Sequence, residues 1–260
     1  ARPAAFRGWP HAESQGPRFS RSREPAADCA APCATIRGML WEAAGAGAAA
    51  AAGSMAWAVR GRSSAVFAPS VWRGVRDRRA IALTFDDGPS ESTSALLDLL
   101  DEARAPATFF LCGVNVRRLP EVAREIARRG HELGNHSDTH DRFYLRTPGF
   151  IRHQIVEAQA TIAGVTGVRP ALLRVPYGAR WFGLRQVQSE LGLLGVMWTA
   201  LGRDWKLPAE AVFHRLARAA RNGAIFCLHD GRERCADPDI TSTLEAVMEA
   251  EDGAVSGSAR

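Results

Sequence analysis

The sequence predicts an α/β fold, with a parallel sheet wound through repeated β–α units and closed or nearly closed into a barrel. Three observations carry this. After Arg79, short β-rich runs alternate with amphipathic helical stretches. Six such runs follow one another, enough strands to curl a sheet round on itself. No glycine-rich phosphate loop follows the first run, which sets the chain apart from open nucleotide-binding sheets.

The strands are expected at 80–85 (AIALTF), 107–112 (ATFFLC), 132–135 (ELGN), 171–175 (ALLRV), 194–199 (LGVMWT) and 224–228 (AIFCL). Helices fill the gaps. The stretch 92–103 opens on Ser92 and Thr93, residue types that cap helix starts, and 120–129 has Pro120 at its first turn and Gly130 past its end. The stretches 150–162 and 208–221 keep apolar residues three to four apart, and Gly223 stops the second. Upstream, residues 1–38 are rich in Ala, Arg, Pro and Ser without an apolar period, so no packed structure is expected there. From Leu40 to Val59 runs an Ala/Gly-rich stretch, long enough to span a bilayer but weakly hydrophobic and interrupted by Glu42. Upstream arginines and Ala56-Trp57-Ala58, which resembles a small-residue cleavage site, favour a signal peptide or membrane anchor over 39–60 rather than a soluble Ala-rich segment. An exported, periplasmic, membrane-anchored or extracellular protein follows from that reading, and a cytoplasmic one from the alternative.

Composition narrows the function. Of the net charge of +5, residues 1–38 carry +3, 39–78 carry +3 and 79–260 carry −1. A nucleic-acid binder concentrates basic charge on its folded surface, and here the excess lies outside it. Five cysteines at irregular spacing build neither a disulfide framework nor a four-cysteine zinc site. Cys112 and Cys227 sit in apolar runs and read as small core residues; Cys29, Cys33 and Cys235 suggest no role.

Active sites of parallel β–α barrels lie at the carboxyl ends of the strands. Five sets of polar residues occupy such positions: Asp86 and Asp87 after IALTF, His136 after ELGN, Arg174 after ALL, Asp204 and Trp205 after MWTALGR, and His229 after AIFCL. Adjacent carboxylates repel and call for a compensating cation. His136 and His140 in HSDTH are spaced to reach one ion from a tight loop or a helical turn, and one Asp completes two nitrogens and one oxygen. Three protein ligands leave a position for water, the catalytic rather than the structural zinc pattern. His11, His153 and His214 read as surface or packing residues and His131 as structural. Trp72, Trp181 and Trp198 read as core or wall, while Trp205 beside Asp204 can wall the site.

TFDDGP at 84–89, HSDTH at 136–140, RVPYG at 174–178, RDW at 203–205 and CLHDG at 227–231 resemble, in order, the five motifs of the polysaccharide deacetylases, also called the NodB-homology family or carbohydrate esterase family 4. The resemblance covers roughly residues 70–250. It implies a distorted β/α barrel and one divalent ion, usually zinc, sometimes another metal. It also implies an acetylated polysaccharide as partner and hydrolysis of carbon–nitrogen (not peptide) bonds in N-acetyl groups. Carried over by position, Asp86 is the expected general base, Asp87, His136 and His140 the metal ligands, and His229 the general acid. Tyr177 supplies a backbone N–H to the oxyanion, Arg174 pairs with Asp86, and Asp204 favours the imidazolium of His229. Two departures stand out. Val175 replaces the usual proline, which is expected to loosen the turn that presents Tyr177, and Leu201 replaces the first aspartate of the fourth motif.

An N-deacetylase acting on peptidoglycan, chitin or chitooligosaccharide is the leading expectation. The alternatives are an O-acetyl xylan esterase of the same family and a catalytically weak carbohydrate-binding pseudoenzyme. No reading of oligomeric state emerges. A helix is expected in this chain at about 240–249, as in relatives, which then add a final apolar strand. Here the chain ends EDGAVSGSAR, too small and polar for a buried strand, so 251–260 reads as a disordered tail and the barrel as open at one seam.

Overall fold

The computed structural model describes residues 31–77, 79–231, 241–243 and 245. The chain divides into two units, Ala1–Ala49 and Ala50–Arg260. The described part of the first is the opening of helix α1 (Ala31–Arg60). Residues 31–38 are helical, continuous with the alanine-rich stretch after them, alanine having the highest helix propensity of the amino acids, and Arg37 and Gly38 are exposed. Residues 1–30 lie outside the described residues. Among the described residues no helix is long and apolar enough to cross a membrane.

The second unit is built on one parallel sheet. In chain order its strands are β1 (Ser70–Val71), β2 (Ala82–Asp86), β3 (Ala107–Leu111), β4 (Glu132–Asn135), β5 (Leu172–Leu173), β6 (Leu194–Val196), β7 (Ala200–Leu201) and β8 (Ile225–His229). In space they run β1-β6-β5-β4-β3-β2-β8-β7. Helices α2 (Thr93–Glu102), α3 (Gly113–Arg118), α4 (Pro120–Arg128), α5 (Pro148–Thr166), α6 (Leu184–Leu191) and α7 (Ala209–Ala217) connect them.

The strand expected at 194–199 ends at Val196, and a second strand, β7, starts at Ala200 just past the expected end. β6 pairs with β5 and β1 near one end of the order, and β7 pairs with β8 at the other. Only Met197–Thr199 separates them, a span of roughly 13 Å even when extended. That short crossing forces the sheet to curl. Met197 donates its N–H to Val71 and Thr199 donates to Ile225, so this segment ties the two lips together. Among the described strands β7 and β1 do not pair, and the barrel is distorted and incompletely closed. The C-terminal expectations for 251–260, and most of those for 240–249, lie outside the described residues; 241–243 and 245 are helical.

Alternation along each strand decides which residues face the interior. On β2, β3 and β8 the side chains of Phe85, Phe109, Leu111, Phe226 and Leu228 pack outward with Leu96, Leu97 and Leu100 of α2 and Val212 of α7. Thr84 and Asp86 on β2, Phe110 on β3, and Cys227 and His229 on β8 therefore point the other way. Register completes the arrangement: Asp86 stands directly opposite His229 on the neighbouring strand.

Candidate active site

Asp86 is almost fully buried and Arg174 completely so. A lone buried charge is costly, and each supplies the other's counter-ion. Arg174 Nη1 donates to Asp86 Oδ1 at 2.7 Å and to Thr84 Oγ1 at 2.7 Å, while Thr84 donates onward to the Phe226 carbonyl at 2.6 Å. The guanidinium lies 4.1 Å over the Phe110 ring and also donates to the carbonyls of Val196 and Met197. Burial pushes the Asp86 carboxyl up, but the positive charge of Arg174, with His136 and His229, outweighs it and holds the carboxyl below its ordinary value.

Beside it, Asp87 Oδ1 stands 3.2 Å from His136 Nε2 and 3.1 Å from His140 Nε2. The backbone is strained to bring them there. Asp87, Ser137 and His140 have φ of 73°, 70° and 57°, left-handed values that non-glycine residues seldom adopt and that cluster at functional sites. Local bonds hold the loop: Asn135 Oδ1 accepts from Ser137 N at 2.9 Å, and Ser137 Oγ accepts from His140 N at 3.1 Å. Asn115 Nδ2 donates to the Asp87 carbonyl at 2.7 Å. Two glycines are required by close approach: a Cβ on Gly88 would enter the Asp230 carboxylate, and one on Gly231 the Asp87 carbonyl.

These three residues fit a metal ion. Asp87 Oδ1 is buried yet makes no well-formed hydrogen bond, despite two imidazole nitrogens at contact distance. Such spacing without hydrogen-bond geometry suits three ligand atoms converging on a shared centre. His136 Nδ1 lies 2.7 Å from the Arg174 carbonyl; donating there fixes the tautomer and leaves Nε2 bare for coordination. Asp86, Cys227 and His229 also lie close enough to share an ion. That trio is less suited, because burial pushes the Cys227 thiol well above its ordinary value and Asp86 is committed to Arg174.

His229 stands beside Asp86, on the neighbouring strand β8. Asp204 Oδ1 lies 2.9 Å from its Nδ1, and Asp204 Oδ2 accepts from His229 N at 2.7 Å and from Thr243 Oγ1 at 2.6 Å. Burial disfavours the imidazolium, but the Asp204 carboxylate, aided by Asp87 and Asp86, overrides it and raises the pKa to about 9. Trp205 stands edge-on to the His229 ring, centroids 4.7 Å apart.

The structure brings all nine sequence-derived candidates together. Asp86, Asp87, His136, His140, Tyr177, Trp205 and His229 line one pocket of about 520 Å³, with Arg174 and Asp204 directly behind it. Tyr177, at φ 56° in a 3-10 turn (Pro176–Gly178), lays its ring 4.7 Å from that of His140. Val175 has φ −78° and ψ 141°, close to what proline imposes, so the substitution leaves the turn's backbone as proline would set it. Other residues escaped the sequence reading. Cys227, read as core, is buried but donates from Sγ to Asp86 Oδ2 at 3.3 Å; its place two residues before His229 on one strand was the available clue. Arg60 lines the pocket too, and nothing in the sequence pattern marks it, whereas Trp198, read as core or wall, is part of the pocket wall.

Residues 73–196 match the family model described as polysaccharide deacetylase. A chitooligosaccharide deacetylase from Bradyrhizobium is 35% identical over 160 residues, covering 60% of this chain and 73% of that protein. The chain belongs to the polysaccharide deacetylase family. The family likeness extends to the peptidoglycan-N-acetylglucosamine deacetylase PgdA of Listeria monocytogenes, 36% identical over 169 residues; the match spans 64% of this chain and 35% of that longer protein. Among solved structures, a peptidoglycan N-acetylglucosamine deacetylase superposes with a TM-score of 0.66 at 26% identity, covering 73% of this chain and 87% of the other.

Proposed function

We propose that this chain hydrolyses the acetamido C–N bond of N-acetylglucosamine units in a polysaccharide of the peptidoglycan or chitin type, releasing acetate and leaving a free amine. One observation carries the reading: the Asp86–Arg174 pair, the His229–Asp204 pair and the Asp87–His136–His140 trio converge on a single pocket. That is a base held ionised and an acid held protonated, flanking one reacting centre.

Asp87, His136 and His140 would hold one divalent ion, and their two nitrogens and one oxygen suit zinc. When bound, the ion supplies Lewis-acid polarisation of water and of the acetyl carbonyl. Asp86 accepts the proton of the attacking water, and Arg174 keeps that carboxylate ready by stabilising its charge. The backbone N–H of Tyr177 donates to the oxyanion that develops on the acetyl oxygen. His229 delivers its Nε2 proton to the departing amine nitrogen, while Asp204 holds Nδ1 and orients the ring. Trp205 fixes the imidazole from the side.

The decisive experiment measures acetate released from N-acetylglucosamine oligomers and from acetylated xylan, with and without exhaustive chelation. Chelator-sensitive release from the amino-sugar oligomers supports the reading. Release from xylan alone replaces it with O-esterase activity. Tight glycan binding without acetate release indicates a pseudoenzyme.

A cell-wall or extracellular polymer as substrate supports export. Ala58 and Val59 are buried with Phe67 and Ala179, which speaks against cleavage after Ala58, since that would remove a residue packed on the barrel. Fractionation with N-terminal sequencing of the mature protein tests both points.

A further inference from the structure

We infer that Arg60 selects substrates carrying a carboxylate on the sugar next to the one being deacetylated; this rests on the deacetylase reading and specifies its substrate class. Arg60 is the last residue of α1, outside the 73–196 region that matches the family, yet it lines the same pocket as Asp86, Asp87 and His229. Histidines aside, it is the one basic residue among the described residues lining the pocket.

Its backbone is anchored while its head is free. The buried Arg180, two residues after the turn that bears Tyr177, donates its N–H to the Val59 carbonyl at 3.0 Å. Its guanidinium donates to the carbonyls of Gly61 and of Ser64, the latter at 2.7 Å, and to Ser70 Oγ at 2.7 Å. Ala58 and Val59 pack beneath on Phe67, Ala179 and Trp181. The backbone on either side of residue 60 is therefore tied to the segment that forms one wall of the site. Arg60 itself is exposed, and its guanidinium makes no hydrogen bond or ion pair with any described residue.

The charge balance assigns that free cation a task. Asp86 is neutralised by Arg174, and Asp87 faces His136 and His140 in the trio suited to a cation. Arg60 then adds an uncompensated positive charge to the pocket, where an anion is favoured. N-acetylglucosamine is neutral and offers none. Peptidoglycan carries a lactyl group on alternate sugars, a free carboxylate where no stem peptide is attached and otherwise the amide link to a peptide with carboxylates of its own, and chitin strands carry no carboxylate. A planar guanidinium matches a carboxylate with two parallel hydrogen bonds, so it distinguishes these polymers where the reacting acetamido groups are identical.

The test compares the full chain with R60Q and R60K on two oligosaccharides of equal length, one alternating N-acetylglucosamine with the lactyl-bearing sugar and one of N-acetylglucosamine alone. The expected result is a preference of the wild type for the carboxylated substrate, reduced about tenfold in R60Q and mainly through KM. R60K retains part of it, and high salt erases it in the wild type. Unaltered melting temperatures exclude a folding defect. Equal kcat/KM ratios for the two substrates in wild type and R60Q overturn the inference, as does equal loss on both. If the wild type releases acetate from neither substrate, the deacetylase reading itself falls, and the inference with it.

Discussion

Replacing Asp204 by Asn tests how the acid is kept charged. The side chain keeps its shape and can still accept from His229 Nδ1, but the carboxylate is gone. Asp204 supplies the two largest contributions that raise the His229 pKa, its hydrogen bond and its charge, against the opposing effect of burial. With the group raised to about 9, the protonated form is present below that pH and is lost as pH rises through it. At pH 8 about nine-tenths of His229 is imidazolium; if the variant falls to the ordinary 6.5, about 3% is, so the rate drops roughly thirtyfold. At pH 5.5 both proteins keep His229 protonated and differ little by this mechanism. A cation at Asp87 offsets the help that Asp86 and Asp87 give, which moves the alkaline limb of both proteins downward without closing the gap between them. Acetate release from an N-acetylglucosamine oligomer between pH 5 and 10, alongside NMR titration of the His229 ring, reads both quantities. Superimposable alkaline limbs for wild type and D204N would refute the coupling between these two residues.

Three more outcomes are expected. H136A or D87A should lose bound zinc, measured as metal per chain after dialysis, together with activity, because three ligands leave no redundancy; stoichiometric zinc in either variant would show that the trio is not the site. H229A should keep its metal and lose activity by roughly a hundred- to ten-thousandfold, the usual contribution of a positioned acid, and metal loss in that variant would reassign the residue. R174M leaves the buried Asp86 charge without its partner and should cost about 3–5 kcal/mol in denaturant unfolding, a good part of it recovered when D86N is added; an unchanged midpoint would mean that water reaches Asp86 freely.

The sequence reading captured what long apolar runs encode. Strands β2, β3, β4 and β8 appear within two residues of their expected places, because a strand in a buried parallel sheet reads as a largely apolar segment, and β4 (ELGN), the exception, is marked by its place between two turns. Ser70–Val71 and Ala200–Leu201 were missed because two residues carry no period. Helix α3, six residues starting at Gly113, and the eight-residue α6 are too short to display one. The aspartates and histidines were legible because strand ends in this architecture are where polar groups gather. Cys227 was hidden by its own hydrophobicity: an apolar run does not say which of its members faces the interior. Arg60 was illegible for another reason, since what it lines depends on how the end of α1 docks, and that depends on the buried Arg180 more than a hundred residues away.

The register between β2 and β8 sets a ruler. Asp86 and His229 sit opposite each other on hydrogen-bonded neighbours, so the separation of their backbones is the inter-strand spacing, about 4.8 Å, and does not depend on any loop. Proton acceptor and proton donor thus share a rigid baseline, while the parts that meet the sugar, such as the 137–140 loop, the Tyr177 turn and the end of α1, hang from it separately. Loops can then be exchanged or lengthened to suit another polymer without resetting the distance over which the proton is relayed. In an architecture of this kind, polymer preference is expected to change by many single steps while the reaction stays the same, and loop grafting onto this barrel is the natural way to retarget it.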